Sequence, residues 1–252
     1  MKLFSFAVAA VLACGIPAHA TDVHTLLATP RQRVESSDFR ASGHLVRVDA
    51  GGARTSEGIT IKARWFPGVL HVLVEITSPA EARAHILIEM RTNGQNVIQI
   101  AHPGDKAPVT LPFEKWSVGP LGPVFSFEDF LQPEYFWPNQ TALAETKFGA
   151  RDCDIVKSIP AATDLTHYSE IKTWLDHSIE SPIYVEKTLK GTGAVKEFTY
   201  MGLRKNGDLW YADQVEGKIR GQAGSTLLII DRGSSKANLV LGDFSPERLI
   251  QF

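Results

Sequence analysis

The chain has 252 residues, a formal net charge of −2 at pH 7 and a hydrophobic content of 44%. Charges of both signs are interspersed without a basic stripe that could neutralise phosphates, so nucleic acid is excluded as an expected partner. No repeat, low-complexity tract or linker interrupts the chain, and we therefore predict one domain after an N-terminal leader.

The first twenty residues have the features of a secretory signal peptide. Lys2 supplies a positive start, and an apolar run over residues 3–16 follows it. Pro17 then precedes Ala18-His19-Ala20, the small-x-small pattern that signal peptidase cuts. We predict cleavage after Ala20, a periplasmic location and a mature domain of residues 21–252.

Cys14 allows a second interpretation of the same segment. Val11-Leu12-Ala13-Cys14 is a loose lipoprotein box, in which the cysteine would become a lipidated N-terminus. The apolar run continues past Cys14 to a good cleavage site, which favours secretion without an anchor. Cleavage after Ala20 would leave Cys153 alone, so no internal disulfide is expected, and we interpret this thiol as a half-buried, unreactive strand residue.

The first predicted element of the mature chain is a helix over residues 22–34. Its apolar stripe is weak, and Pro30 should interrupt it because proline lacks an N–H. After residue 38 the apolar period changes to two, which is typical of strands with one buried face. The alternating stretches, separated by Pro67-Gly68 and Asn93-Gly94 turns, cover residues 59–66, 70–76, 86–91 and 97–100.

An aromatic and acidic segment, residues 120–137, separates two strand-rich halves. Ser126 followed by Glu128-Asp129 predicts a short capped helix there. Residues 171–175 fit a strand or a helix, and Ser245-Pro246 predicts a capped last turn. The strands predicted in the second half cover residues 183–189, 195–203, 209–212, 215–220, 226–230 and 237–241. About ten strands with few helical patterns predict a curled antiparallel sheet.

No residue pattern indicates a catalytic, metal or cofactor site. The seven histidines after residue 20 lack an i, i+4 or His-x-His spacing, and no nucleophile elbow, phosphate loop or nicotinamide motif occurs. Asp152 and Asp154 share a strand face, which more often is a solvated face than a catalytic pair. We expect neither an enzyme nor a bound cofactor or metal.

Short phrases along the mature chain resemble the LolA-like superfamily of outer-membrane lipoprotein-sorting proteins. The order of elements is similar as well: a leader, a helix, a first strand series, an aromatic-Asp helix and a second strand series. The phrases are Ala41-Ser42-Gly43, Ile76-Thr77-Ser78-Pro79, Phe125-Ser126-Phe127-Glu128-Asp129-Phe130, residues 168–176 with Trp174, Pro182-Ile183-Tyr184-Val185-Glu186 and Asp243-Phe244-Ser245.

The resemblance implies a mainly β fold, an incomplete antiparallel barrel of about eleven strands covered by short helices, with residues 168–176 as a strand. It also implies a carrier whose apolar cavity holds acyl chains of lipids or lipoproteins, with a membrane protein of the inner or outer membrane as partner. The alternative is a periplasmic sensor or scaffold of the same fold that binds a membrane partner. Arg64 is the nearest counterpart of the family's functional arginine and a candidate polar gate; the alternative is an ordinary outward-facing charge. The expected cavity lining is Trp65, Leu70, Val72, Val74, Ile76, Ile86, Ile88 and Met90, with Phe125, Phe127 and Phe130 as a movable lid. The alternative for all of these side chains is that they form a plain core.

Overall fold

The computed structural model describes residues 22–206 and 209–252. The predicted signal peptide, its cleavage site after Ala20 and the alternative anchor at Cys14 lie outside these residues. Within the described part of the chain, no helix combines the length and the apolar character that crossing a membrane requires.

Fourteen strands form one antiparallel sheet that curls without closing. They are β1 (Asp38–Val48), β2 (Arg54–Phe66), β3 (Val69–Ser78), β4 (Ala84–Arg91), β5 (Val97–Ala101), β6 (Val109–Thr110), β7 (Asn139–Ala142), β8 (Thr146–Phe148), β9 (Arg151–Ile159), β10 (Tyr168–Asp176), β11 (Ser181–Leu189), β12 (Val195–Asn206), β13 (Leu209–Ile219) and β14 (Ser225–Ser234). The predicted fold class is confirmed. The sheet has three strands more than the eleven expected. Strands β6, β7 and β8 are only two to four residues long, too short for an alternation to be recognised in the sequence.

The strands at the two free edges of the sheet follow one another in the chain. The order is β6-β5-β4-β3-β2-β1-β14-β13-β12-β11-β10-β9-β7, with β8 paired to β9. Strands β1 and β14 join two meanders along a seam, and the free edges are β6 and β7. The chain between these edges, residues 111–138, therefore passes from one edge of the sheet to the other. We call it the connecting segment.

The inner face of the sheet buries the main core. Alternate residues of the strands in both halves belong to one apolar cluster, together with side chains of the connecting segment. Strand β3 is buried on both faces: Val72 and Val74 belong to this cluster, whereas Leu73 belongs to a smaller outer cluster. Phe244 and Leu249 cover Leu73 from the C-terminal end of the chain.

Two α-helices flank the sheet. Helix α1 (Val23–Glu35) continues through Pro30, contrary to the predicted interruption. The buried positions Leu27, Pro30 and Val34 pack it against the sheet, and this tertiary burial offsets the backbone hydrogen bond that proline cannot donate. Helix α2 (Pro246–Leu249) begins as predicted, with the Ser245 hydroxyl accepting a hydrogen bond from the N–H of Arg248.

Three further predictions of local structure have clear outcomes. Residues 168–176 are strand β10, as the family resemblance implied. The stretches at 209–212 and 215–220 belong to one strand, β13. The predicted last strand, residues 237–241, is wrong: this stretch is irregular, and a 3-10 helix, Leu241–Phe244, begins at its end.

Candidate ligand-binding interior

The predicted lining residues of β3 and β4 lie together in the inner core. All seven are at most 6% exposed and belong to the main apolar cluster: Leu70, Val72, Val74, Ile76, Ile86, Ile88 and Met90. Trp65 of β2 is half-buried at the border of this cluster and stacks on Phe136, with ring centroids 5.6 Å apart. The alternation thus places these eight side chains on the face of the sheet that buries the main core.

The three predicted lid residues occupy the concave interior. Phe125 and Phe127 are buried, and Phe130 packs against the cluster. The Phe125 ring lies 5.1 Å from the Phe130 ring and 5.7 Å from Phe198 of β12. The space that the sheet encloses is therefore filled, in this structure, largely by the side chains of the connecting segment.

Side chains rather than backbone pairing hold the connecting segment in place. In the described residues, the backbone N–H and C=O groups of residues 112–138 bond to other backbone groups only within the segment itself. Three 3-10 helices lie in it, Phe113–Lys115, Phe127–Phe130 and Pro133–Tyr135. A segment that shares no backbone ladder with the sheet can move without breaking a strand pair.

A cavity of about 280 Å³ lies at one rim of the interior. The turn after β4, the end of the connecting segment and the loop before β10 meet there. Met90 is the predicted lining residue that reaches it, beside Phe136, Trp137 and Leu165. Its wall combines these apolar side chains with polar ones such as Asn96 and Thr166.

A fully buried carboxylate fixes the connecting segment to the sheet. The Asp129 side chain is 0% exposed, and its Oδ1 accepts hydrogen bonds from Tyr168 Oη at 2.7 Å and Lys187 Nζ at 3.0 Å. Its Oδ2 accepts from the Ser126 N–H at 2.8 Å, Ser126 Oγ at 2.7 Å and Lys196 Nζ at 2.9 Å. We call Asp129, Tyr168, Lys187 and Lys196 the interior charge cluster.

The electrostatics of this cluster favour the ionised forms of Asp129 and Lys187. Burial alone would raise the pKa of the Asp129 carboxyl, but Lys196 and Lys187 hold that pKa far below its usual range. Burial works against the Lys187 ammonium in the same way, and Asp129 raises the pKa of Lys187 above its ordinary value. Burial, with the nearby Asp129 charge, raises the pKa of the Tyr168 hydroxyl, so Tyr168 donates to the carboxylate as a neutral phenol.

Glu134 and Tyr135 are further buried polar groups of the connecting segment. Burial raises the pKa of the Glu134 carboxyl. One Glu134 carboxylate oxygen and the Tyr135 hydroxyl lack a hydrogen-bond partner among the described residues. Unsatisfied buried polar groups are costly, so they mark a region that is not optimised for stability alone.

A second polar contact fixes the same 3-10 helix to the loop before β10. The Glu128 carboxylate is buried and accepts hydrogen bonds from Thr166 Oγ1 at 2.9 Å and from the backbone N–H of His167 at 3.1 Å. The His167 ring contacts the same carboxylate through Nδ1 and stacks on Phe113. Residues 128 and 129 thus carry two adjacent carboxylates with different partners.

Arg64 lies on the outer face of β2, not among the lining residues. Its neighbour Trp65 points to the core, and Arg64 forms an ion pair with Asp38, with Nη1 and Oδ2 2.6 Å apart. Asp152 and Asp154 also have separate partners, Lys147 at 3.3 Å and His177 at 3.1 Å. Cys153 is free and fully buried, more deeply than predicted, and burial raises the pKa of its thiol.

Tertiary contacts bring together one group of potential metal ligands in the described residues. Ligand atoms of Glu145, Asp154 and His177 lie within 4.8 Å of one another, beside a surface depression of about 310 Å³. Glu145 is exposed, and the His177–Asp154 ion pair accounts for the closest approach.

The interior charge cluster was not predicted from the sequence, although the sequence carries a signal for it. Lys187 follows Ile183 and Val185 at the even spacing of one strand face, and Lys196 precedes Phe198 on another. A lysine on an apolar strand face predicts a buried cation that needs a partner. The strand sequences do not indicate which carboxylate is that partner, because Asp129 is 58 residues from the nearer lysine, Lys187.

The curled open sheet, with an interior covered by the connecting segment, is a half-barrel fold. The model of a family described as "Uncharacterized protein" matches residues 71–251, and the chain belongs to that family. A comparison with curated protein sequences gives no match.

Solved structures with this fold align over nearly the whole chain. A domain from Vibrio parahaemolyticus assigned to outer membrane lipoprotein sorting has a TM-score of 0.82 and 20% identity, covering 92% of this chain and 100% of its own. A DUF1329 family protein from Desulfovibrio piger gives 0.80 and 15%, with coverage of 91% and 98%. A LolA superfamily protein from Nitrosomonas europaea gives 0.68 and 14%, with coverage of 89% and 98%. These similarities confirm the predicted fold.

Proposed function

We propose that this protein is a periplasmic carrier that binds acyl chains of lipids or lipoproteins in its concave interior and catalyses no reaction. The connecting segment acts as a lid: it fills the interior in the ligand-free state and is displaced when an acyl chain enters. A membrane protein of the inner or outer membrane would deliver or receive the ligand. The proposed location rests on the sequence of residues 1–20.

The observation that carries this proposal is the attachment of the lid. The apolar inner faces of both halves converge on a segment that, over residues 112–138, shares no backbone–backbone hydrogen bond with the sheet. Displacing it exposes the strand faces of Val72, Ile88 and Val185 without breaking the sheet. Each buried methylene of an entering acyl chain contributes about 0.8 kcal/mol, so a chain of ordinary length can replace the apolar contacts of the lid.

The structural relatives support the same function. One is assigned to outer membrane lipoprotein sorting and another to the LolA superfamily. Both align with this chain over at least 89% of its length. We transfer binding of an acyl chain from this likeness, and the identity of the cargo is left to experiment.

The first test is to identify what the protein carries. The full-length chain should be expressed in a Gram-negative bacterium, purified from the periplasmic fraction without detergent and analysed by native mass spectrometry. We expect a fraction of the protein with the added mass of an acyl-containing molecule. The ligand-free protein should then take up Nile red, a neutral probe that fluoresces in apolar surroundings.

A matched pair of phenylalanine variants separates lid function from general stability. Phe125 of the lid and Phe244 of the outer cluster are 4% and 3% exposed, so truncation of either removes a similar buried ring. Phe125→Ala should bind Nile red severalfold more tightly, because the lid loses apolar contacts to the interior. Phe244→Ala should lose stability without this gain. Wild-type protein that carries no lipid and takes up no Nile red, with Phe125→Ala equally inert, would remove the carrier proposal.

A further inference from the structure

The interior charge cluster holds the carboxylate of Asp129 between donors that belong to the sheet. Lys187 and Lys196 lie on the neighbouring strands β11 and β12, and Tyr168 lies on β10. All three side chains belong to the sheet and direct donors at one pair of oxygens. Only the carboxylate and Ser126 belong to the connecting segment, so the cations remain when the lid moves.

The two ammonium groups have few other partners. The hydrogen bond of Lys187 Nζ is to Asp129, and the cation lies 5.0 Å from the Phe198 ring centroid and 5.3 Å from the Tyr168 ring centroid. Lys196 Nζ bonds to Ser126 Oγ at 3.0 Å and Asp129 Oδ2 at 2.9 Å on the lid, and to Tyr168 Oη at 3.1 Å on the sheet. Both lysine side chains are at most 5% exposed.

Displacement of the lid therefore exposes an uncompensated positive site within apolar walls. When the connecting segment moves away, Lys187 loses both Asp129 and the nearby Glu134 carboxyl, and Lys196 keeps Tyr168 alone. A buried charge that loses its partner is strongly unfavourable. An entering ligand with an anionic group restores the missing charge, whereas a neutral ligand of the same length does not.

We propose that the carrier selects anionic amphiphiles, and that Lys187, Lys196 and Tyr168 bind the carboxylate or phosphate headgroup in the position that Asp129 occupies in the closed structure. The Asp129 carboxylate is thus an internal competitor that mimics the headgroup. The acyl chain of the ligand would lie along the inner strand faces next to Phe198. This inference rests on the proposed carrier function and specifies its ligand class.

The test measures displacement of Nile red by three twelve-carbon competitors below their micelle concentrations. Dodecanoate and dodecyl phosphate carry the two candidate headgroups, and dodecanol is the neutral control. We expect each anionic competitor to bind wild-type protein about tenfold more tightly than dodecanol, because each gains charge-assisted hydrogen bonds. The tighter of the two identifies the headgroup as carboxylate or phosphate.

Two variants test the role of the cluster directly. Asp129→Asn removes the internal competitor and should strengthen dodecanoate binding severalfold without the same gain for dodecanol. The triple variant Asp129→Asn, Lys187→Met, Lys196→Met removes the three charges of the cluster together, which preserves the fold better than removing one partner. It should bind dodecanol and dodecanoate equally.

A control for net charge is available on the surface. Lys172 and Lys218 are partly exposed and pair with Glu170 and Glu216. The variant Lys172→Met, Lys218→Met loses two positive charges but should keep the tenfold preference for anions. Nile red uptake with equal affinity of the wild type for dodecanoate and dodecanol would overturn the headgroup site while leaving the carrier intact. Absence of uptake of Nile red and of all three competitors would instead overturn the carrier function itself.

Discussion

Neutralising Asp129 should destabilise the protein more than any surface charge change. Its carboxylate accepts five hydrogen bonds at 2.7–3.0 Å, two of them from buried ammonium groups. In Asp129→Asn the charge is lost, and the amide NH₂ of the new side chain faces donors. Breaking a buried ion pair in this way costs about 3–5 kcal/mol. At about 2–4 °C per kcal/mol for a domain of this size, the melting temperature should fall by about 6–20 °C.

The assay is urea unfolding followed by tryptophan fluorescence, repeated from pH 7 to pH 3. The folded-state pKa of Asp129 is held below its ordinary value of 3.8. The stabilisation is therefore fully present above about pH 4 and is lost as the pH falls below the unfolded-state value. The difference between wild type and Asp129→Asn should be largest at pH 7 and shrink on acidification.

The control variant is Asp152→Asn, which neutralises a carboxylate that is 62% exposed and paired with Lys147. Its effect should be small at every pH, because exposed ion pairs contribute little. A loss of less than about 1 kcal/mol for Asp129→Asn at pH 7 would refute the assignment of Asp129 as the buried anchor of the lid.

Three further substitutions or conditions test other parts of the fold. Gly43→Ala should lower the melting temperature by weakening the seam between β1 and β14, because a Cβ there would lie 1.9 Å from the backbone oxygen of Ile229. The control Gly242→Ala, with open space around the new Cβ, should leave the melting temperature unchanged. Leu249→Ala should cost about 2–5 kcal/mol in urea unfolding by opening the outer cluster, and a loss near zero would contradict the packing of the C-terminal residues on β3. Burial lowers the pKa of His85, so its contribution to stability is present above about pH 6.5 and is lost as the pH falls. His85→Asn should therefore flatten the decline in unfolding free energy between pH 7 and pH 5. An equally steep decline in this variant would disprove that His85 causes it.

Much of the sheet could be predicted from local patterns. The alternation in β3 and β4 identified the core-facing residues, because side chains in a strand point to opposite faces with a period of two. Asn93-Gly94 and Ser245-Pro246 located a turn and a helix start from the conformations that these residues favour. The apolar outer face of β3 was less informative: Leu73 is buried beneath Phe244 and Leu249, which come from the other end of the chain.

Local patterns failed where distant contacts compete with local preference. Pro30 is tolerated inside α1 because the helix buries Leu27 and Val34 against the sheet. The alternation of β2 predicts that Arg64 lies on the face opposite Trp65, but its ion-pair partner, Asp38 of β1, follows only from the register between the two strands. Nothing in the residues next to Asp129 distinguishes it from Glu128 as the partner of the lysines.

The sequence by itself determined which residues alternate, where turns and caps fall and that a long aromatic segment divides two strand series, since these features depend on backbone geometry over a few residues. Only the tertiary structure decided that this segment runs between the two free edges of the sheet, and that its Asp129 meets Lys187 and Lys196 inside. The physical reason is that a buried charge is stable only where the whole fold delivers its partner, and that delivery depends on strand order and curvature rather than on neighbours in the chain.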